Sequence, residues 1–103
     1  MVIYNVTVNI NEGIEKDWME WMKNIHIPEV MATGCFLDSR MMRLTEPQPE
    51  EGITFAIQYR LENRSKLDYY FDQFASALQQ SHTERYQNQF VAFRTILDLE
   101  NEF

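Results

Sequence analysis

The sequence predicts an α+β fold in which a four-stranded antiparallel sheet carries two helices on one of its faces. Two kinds of pattern predict it: three segments alternate apolar and polar residues with the period of a strand, and two others repeat apolar residues at helical spacing. The chain has 103 residues, 45% of them hydrophobic. This size fits one core, so residues 1–103 are expected to form a single domain.

The first strand is predicted over Val2–Ile10, where β-branched and aromatic residues occupy alternate positions. The first helix follows, and its apolar stripe consists of Ile14, Trp18, Trp21, Met22 and Ile25. We expect this helix to end near His26, because Pro28 disfavours helical geometry in the residue before it.

The second strand is expected from about Phe36 to Leu44. It carries charged residues on both faces, which is typical of an edge strand. A polar loop with two prolines separates it from the third strand, Ile53–Leu61, which alternates as regularly as the first.

The second helix is expected to begin at a Ser65 cap, with Asp68 in a capping-box position. Its apolar stripe runs to Leu78, and His82 follows on the same side of the helix one turn later. The last strand is expected from about Phe90 to Leu99. The order strand, helix, strand, strand, helix, strand predicts a ferredoxin-like βαββαβ topology with the first and third strands in the centre.

Composition excludes several classes of partner and location. The formal net charge of −7 disfavours nucleic acid and anionic membranes. Cys35 is the single cysteine, so no intrachain disulfide is possible. The N-terminus does not resemble a signal peptide, and no apolar run is long enough to span a bilayer. These observations predict a cytoplasmic protein.

The helices should cover one face of the sheet and leave the other open. We expect the open face to carry Ile3, Asn5, Thr7, Asn9, Thr54, Ala56, Gln58, Arg60, Arg94 and Ile96, with either Arg40 or Arg43 from the second strand. Strands about 4.8 Å apart give such a face about 550 Å², near the roughly 800 Å² that each partner contributes to a standard interface. A homodimer with stacked sheets is therefore predicted.

Several segments resemble a bacterial family of single-domain proteins without an assigned function. They are Tyr4–Ile10, the Trp18–Trp21 helix, His26–Val30, Thr33–Phe36 and Phe90–Thr95. By fold this family is similar to the dimeric α/β-barrel superfamily, which includes cofactor-free monooxygenases, isomerases, haem enzymes and ligand-sensing domains. The resemblance implies the dimeric barrel and leaves the function open.

The sequence contains no established catalytic or metal-binding motif, so neither a cofactor nor a metal is expected. His26 and His82 are the weak catalytic candidates. His26 is either a proton acceptor at a cavity mouth or a charged histidine at a helix C-terminus. His82 is expected on the inward side of the second helix, as a partly buried histidine or a catalyst.

A ligand site is the other candidate, with Arg94, Arg60 and Arg40 converging on the open face beside Asn5, Thr7 and Gln58. Arginines grouped in this way hold carboxylates or phosphates, or they pair with Asp38 or Asp98 of a second subunit. Three functions remain open: binding of a small anion or protein partner on this face, cofactor-independent monooxygenase or isomerase activity, and a purely structural oligomerising role.

Overall fold

The computed structural model describes all 103 residues and has the predicted element order. Strand β1 is Val2–Ile10, β2 is Asp38–Arg43, β3 is Ile53–Leu61 and β4 is Phe90–Asp98. They form one antiparallel sheet in the order β2-β3-β1-β4. The central positions of β1 and β3 and the edge position of β2 are confirmed. None of the helices has the length and apolarity needed to cross a bilayer.

Helix α1 covers residues 15–32 in three continuous segments, Glu15–Trp21, Met22–His26 and Ile27–Ala32, after a short 3₁₀ turn. The prediction that this helix ends near His26 is wrong. Its middle segment is a π-turn, in which the Ile27 N–H bonds to the Met22 carbonyl five residues earlier. This wider turn lets the chain pass Pro28, which lacks an N–H group, without leaving the helix.

Helix α2 covers residues 64–85 and also contains a π-turn, in the order Arg64–Tyr70, Phe71–Ala75 and Ser76–Arg85. The predicted cap at Ser65 is wrong by two residues. Asn63 caps the helix, because its side-chain oxygen accepts the Lys66 N–H at 3.0 Å. Asp68 is not part of a capping box and instead pairs with Arg64 one turn earlier.

The core lies between the sheet and the two helices. The inward-facing residues of β1 and β3 form the centre of this core, as predicted. Four core residues are completely buried: Ile10, Trp18, Leu61 and Leu67. A cluster of aromatic rings fills one end, where Tyr4, Phe36, Tyr59, Tyr70 and Phe71 lie with centroids 4.7–6.3 Å apart. No polar residue is fully buried, so apolar burial dominates the stability of this layer.

The register of β4 reverses the predicted faces of this strand. Arg94 lies opposite Val6, and Ile96 lies opposite Tyr4, so both stand on the helix side of the sheet. The open face receives Val91, Phe93, Thr95 and Leu97 instead. The prediction failed because both sides of β4 carry apolar residues, and we assigned the more apolar side to the core.

Gly52, the last loop residue before β3, is predicted to be intolerant of substitution. Its φ is +71°, and a Cβ there would lie 2.5 Å from the Ile10 carbonyl oxygen. Gly52→Ala should therefore lower the free energy of unfolding by about 2 kcal/mol or more. Urea denaturation measures the loss. Gly13→Ala is the matched control, because a Cβ at Gly13 has nothing within 4 Å, and an equal loss in both variants would contradict the prediction.

Candidate functional site

A cavity of about 50 Å³ lies between the sheet and the helices. Its wall is mostly hydrophobic, and the four polar residues that line it are His26, Gln79, His82 and Arg94. The two histidines are 56 residues apart in the chain, and their ring centroids lie 5.9 Å apart. Since a water needs about 10–15 Å³, the cavity holds about three to five waters or a chemical group of that size.

His26 stands at the end of the π-turn in α1 and lines the cavity. Its ring stacks on Trp21, with centroids 4.9 Å apart, and its Nδ1 is buried without a hydrogen-bond partner. Burial, and then the charge of Arg94, lowers the pKa of His26 from 6.5 to about 4. The alternative of a charged histidine at a helix C-terminus is therefore wrong, because the helix continues for six residues and the imidazole is neutral at pH 7.

His82 lies on the inward side of α2, as predicted. Its Nε2 accepts a hydrogen bond of 2.9 Å from the indole N–H of Trp18. Burial is the main cause that lowers the pKa of His82 to about 4, and the nearby His26 and Arg94 lower it further. At neutral pH the cavity therefore contains two uncharged imidazoles.

Arg94 differs from the other arginines of this chain in its lack of a carboxylate partner. The other five arginines each form an ion pair with a carboxylate of the same chain, and Arg94 forms none. No acidic residue lines the cavity. Arg94 approaches the Tyr4 side chain: burial raises the pKa of the Tyr4 hydroxyl, and the charge and hydrogen bond of Arg94 oppose that rise.

The remaining predicted ligand residues lie on the opposite side of the sheet and do not meet Arg94. Arg60 is held by Asp38 through two nitrogens, at 3.0 Å for Nε and 2.6 Å for the terminal nitrogen. Arg40 lies 3.7 Å from the same carboxylate. The pairing with Asp38 that we expected between subunits thus occurs within one chain, and it lowers the pKa of the Asp38 carboxyl mainly through the Arg60 hydrogen bond.

The polar residues in the middle of the open face also bond to one another. The Asn5 amide donates to the hydroxyls of Thr7 at 3.0 Å and Thr95 at 3.2 Å. The Asn9 amide donates to the Thr54 hydroxyl at 3.0 Å. Gln58 lies beside Arg40 in the register between β2 and β3. The side-chain amides of Asn5 and Asn9 are therefore engaged within the chain.

A group of polar contacts joins the end of helix α2 to helix α1 near the two histidines. The Tyr86 hydroxyl donates to Asp17 at 2.8 Å and accepts from Arg85 Nε at 3.1 Å. The Tyr86 ring meets Trp21 edge-on, with centroids 5.6 Å apart. Sequence analysis missed these contacts, the bond between Trp18 and His82, and the cavity positions of Gln79 and Tyr4. No local sequence signal marks them, because each depends on how the helices pack.

The fold of this chain is ferredoxin-like, with a four-stranded antiparallel sheet that carries two helices on one face. The chain belongs to the family described as a domain of unknown function, DUF4286, whose model matches residues 1–100. This confirms the predicted membership of a family without an assigned function. A search of curated proteins finds no match.

Solved structures support the same fold at low sequence identity. The heme-degrader MhuD from Mycobacterium tuberculosis, with two hemes bound, has a TM-score of 0.64 and 12% identity, over 100% of this chain and 99% of that one. A candidate antibiotic biosynthesis monooxygenase from Bacillus cereus has a TM-score of 0.67 and 12% identity, over 99% and 95%. A dimeric ferredoxin-like protein from an uncultured marine organism has a TM-score of 0.62 and 16% identity, over 99% and 97%. At these identities the likeness establishes the fold alone.

Proposed function

We propose that this protein binds a small carboxylate, or another small oxyanion, in the cavity between the helices and the sheet. The observation that carries the proposal is the unpaired Arg94 at a mostly apolar cavity, in a chain whose other arginines are all paired. A guanidinium beside low-dielectric walls attracts an anion more strongly than one in water. The neutral imidazoles of His26 and His82 add hydrogen-bonding groups without competing for the anion.

The volume limits the size of this ligand. Pockets for drug-sized molecules are about 300–1,000 Å³, and the cavity here has about 50 Å³. It therefore fits a group of a few atoms, such as acetate, or the acidic end of a longer molecule that extends past Arg94. A tetrapyrrole such as the heme bound by MhuD does not fit this volume, and we propose no cofactor.

Titration with sodium acetate tests the proposal, because acetate is a carboxylate of suitable size. We expect saturable NMR shifts at residues lining the cavity, and at least about tenfold weaker binding in Arg94→Gln, since hydrogen bonds to charged groups are worth about 1.5–3 kcal/mol. Arg40→Gln is the matched control on the opposite face of the sheet and should bind acetate as the wild type does. The proposed site would be refuted if acetate binding to the wild type did not saturate, or if both variants lost acetate affinity equally.

Cofactor-independent monooxygenase or isomerase activity is the second candidate. It is favoured by the cavity itself, because His26 faces it and is unprotonated at neutral pH. An imidazole with a pKa near 4 is nevertheless a weak general base at pH 7. For this reason binding is the better supported function.

We also propose that two copies stack their open faces to form a homodimer in the cytoplasm. Three apolar side chains from β4 support this, because Val91, Phe93 and Leu97 are 70%, 61% and 46% exposed on that face. The side-chain amides of Asn5 and Asn9 on this face are already hydrogen bonded within the chain, which lowers the cost of covering them. The available area, about 550 Å² before side chains are counted, approaches that of a standard interface.

A further inference from the structure

The contact between Trp18 and His82 determines where the neutral imidazole carries its proton. Trp18 is completely buried, and its Nε1 lies 2.9 Å from His82 Nε2. An indole N–H donates hydrogen bonds and accepts none. The Nε2 atom must therefore be the unprotonated acceptor nitrogen of His82.

We infer that Trp18 is a positioning residue that holds neutral His82 in the tautomer with its proton on Nδ1, so that the nitrogen of His82 left free by Trp18 is a hydrogen-bond donor and not an acceptor. The opposite tautomer would direct two N–H groups at each other. It would also leave the buried indole N–H without a partner, which is unfavourable for any buried donor. Burial keeps the pKa of His82 near 4, so the neutral form prevails at pH 7.

The inference extends to the ligand, and this step rests on the proposed function. His82 and Arg94 both line the cavity, and the free polar groups of both are then donors. These donors suit an acceptor, and the positive charge of Arg94 favours an ionised carboxylate over a neutral alcohol or a cationic amine. The ligand class is therefore small monocarboxylates in their ionised form.

Long-range ¹H–¹⁵N NMR of the imidazole rings in the uncomplexed wild type tests the tautomer. The chain has two histidines, so the spectrum of His26→Gln assigns the His82 signals. We expect a protonated Nδ1 and an unprotonated Nε2 in His82. In Trp18→Phe the two tautomers should mix, because the donor that selects one of them is absent.

Trp21→Phe is the matched control. Trp21 is also a buried indole of α1 beside His82, with ring centroids 5.7 Å apart, and the hydrogen bond to His82 comes from Trp18. The Trp21→Phe variant removes similar volume and should keep the wild-type tautomer. Acetate affinity should fall in Trp18→Phe in proportion to the fraction of His82 that loses the Nδ1–H tautomer, by about two- to fivefold for a mixture, and should fall less in Trp21→Phe.

The outcomes separate the two proposals. A protonated Nε2 or an averaged signal in wild-type His82 overturns the inference, and acetate binding to the same sample would leave the proposed function standing. The expected tautomer in a protein that does not bind acetate supports the role of Trp18 and overturns the ligand class together with the proposed function. If Trp18→Phe does not fold, the wild-type spectrum still decides the tautomer.

Discussion

Lowering the pH from 7 to 4.5 is expected to reduce the free energy of unfolding by about 3 kcal/mol. His26 and His82 have a pKa of about 4 in the folded protein and about 6.5 when unfolded. Between these values the unfolded chain binds protons that the folded chain does not, so stability falls as the pH falls through this window. Above about pH 7.5 both imidazoles are neutral in the folded and the unfolded chain, and they no longer affect the pH dependence of stability.

The size of the effect follows from the pKa difference. A shift from 6.5 to about 4 corresponds to about 3 kcal/mol for each histidine once titration is complete. Because both rings keep partial contact with solvent and interact with each other, we expect about that much for the pair rather than twice as much. Asp38 also has a lowered pKa, but its contribution is lost below the ordinary carboxyl value and outside this window.

Urea denaturation at several pH values measures this dependence. A double variant, His26→Gln with His82→Gln, is the control and should show a nearly flat stability between pH 6.5 and 4.5. A wild type that is equally stable at both values would mean that the imidazoles are solvated rather than buried at the cavity.

Placing a charge among the exposed apolar residues of β4 is expected to abolish the proposed homodimer. Phe93 lies opposite Thr7 in the register and is 61% exposed in the single chain. In Phe93→Asp a stacked dimer would bury two carboxylates without partners, at a cost of about 3–5 kcal/mol for an uncompensated charge. Dissociation should become at least about 100-fold easier.

Sedimentation velocity at micromolar concentration distinguishes dimer from monomer. Tyr69→Asp is the matched control, because Tyr69 is an aromatic residue with 55% exposure on helix α2, away from the open face. That variant should remain dimeric. A wild type that sediments as a monomer would remove the basis for the predicted interface.

The parts of the fold that could be predicted are those where one face of an element is buried. Strands β1 and β3 alternate because Val8 and Phe55 face the core while Thr7 and Thr54 do not. Strand β4 could not be oriented in this way, since apolar residues occupy both of its sides. The site depends on that orientation, and a single reversal moved Arg94 from the open face to the cavity.

The proximity of the two histidines could not be predicted from the sequence, for a different reason. Pro28 predicts the end of a helix from local geometry, but the π-turn at Met22–His26 absorbs the missing hydrogen bond and keeps His26 inside a continuous helix. Whether a helix ends at such a point or continues through a π-turn with one extra residue depends on how it packs against the rest of the fold. His26 could therefore be identified as a candidate, while its neighbours could not.

The hydrogen bonds that Asn5 and Asn9 donate to threonine hydroxyls bear on the dissociation of two stacked copies. The partners of these amides lie in the same chain, so these particular bonds stay intact when two subunits separate. The apolar part of their cohesion would come from Val91, Phe93 and Leu97 leaving water, a contribution that weakens on cooling and responds little to ionic strength. Such an assembly would exchange protomers readily in the cold and tighten with warmth.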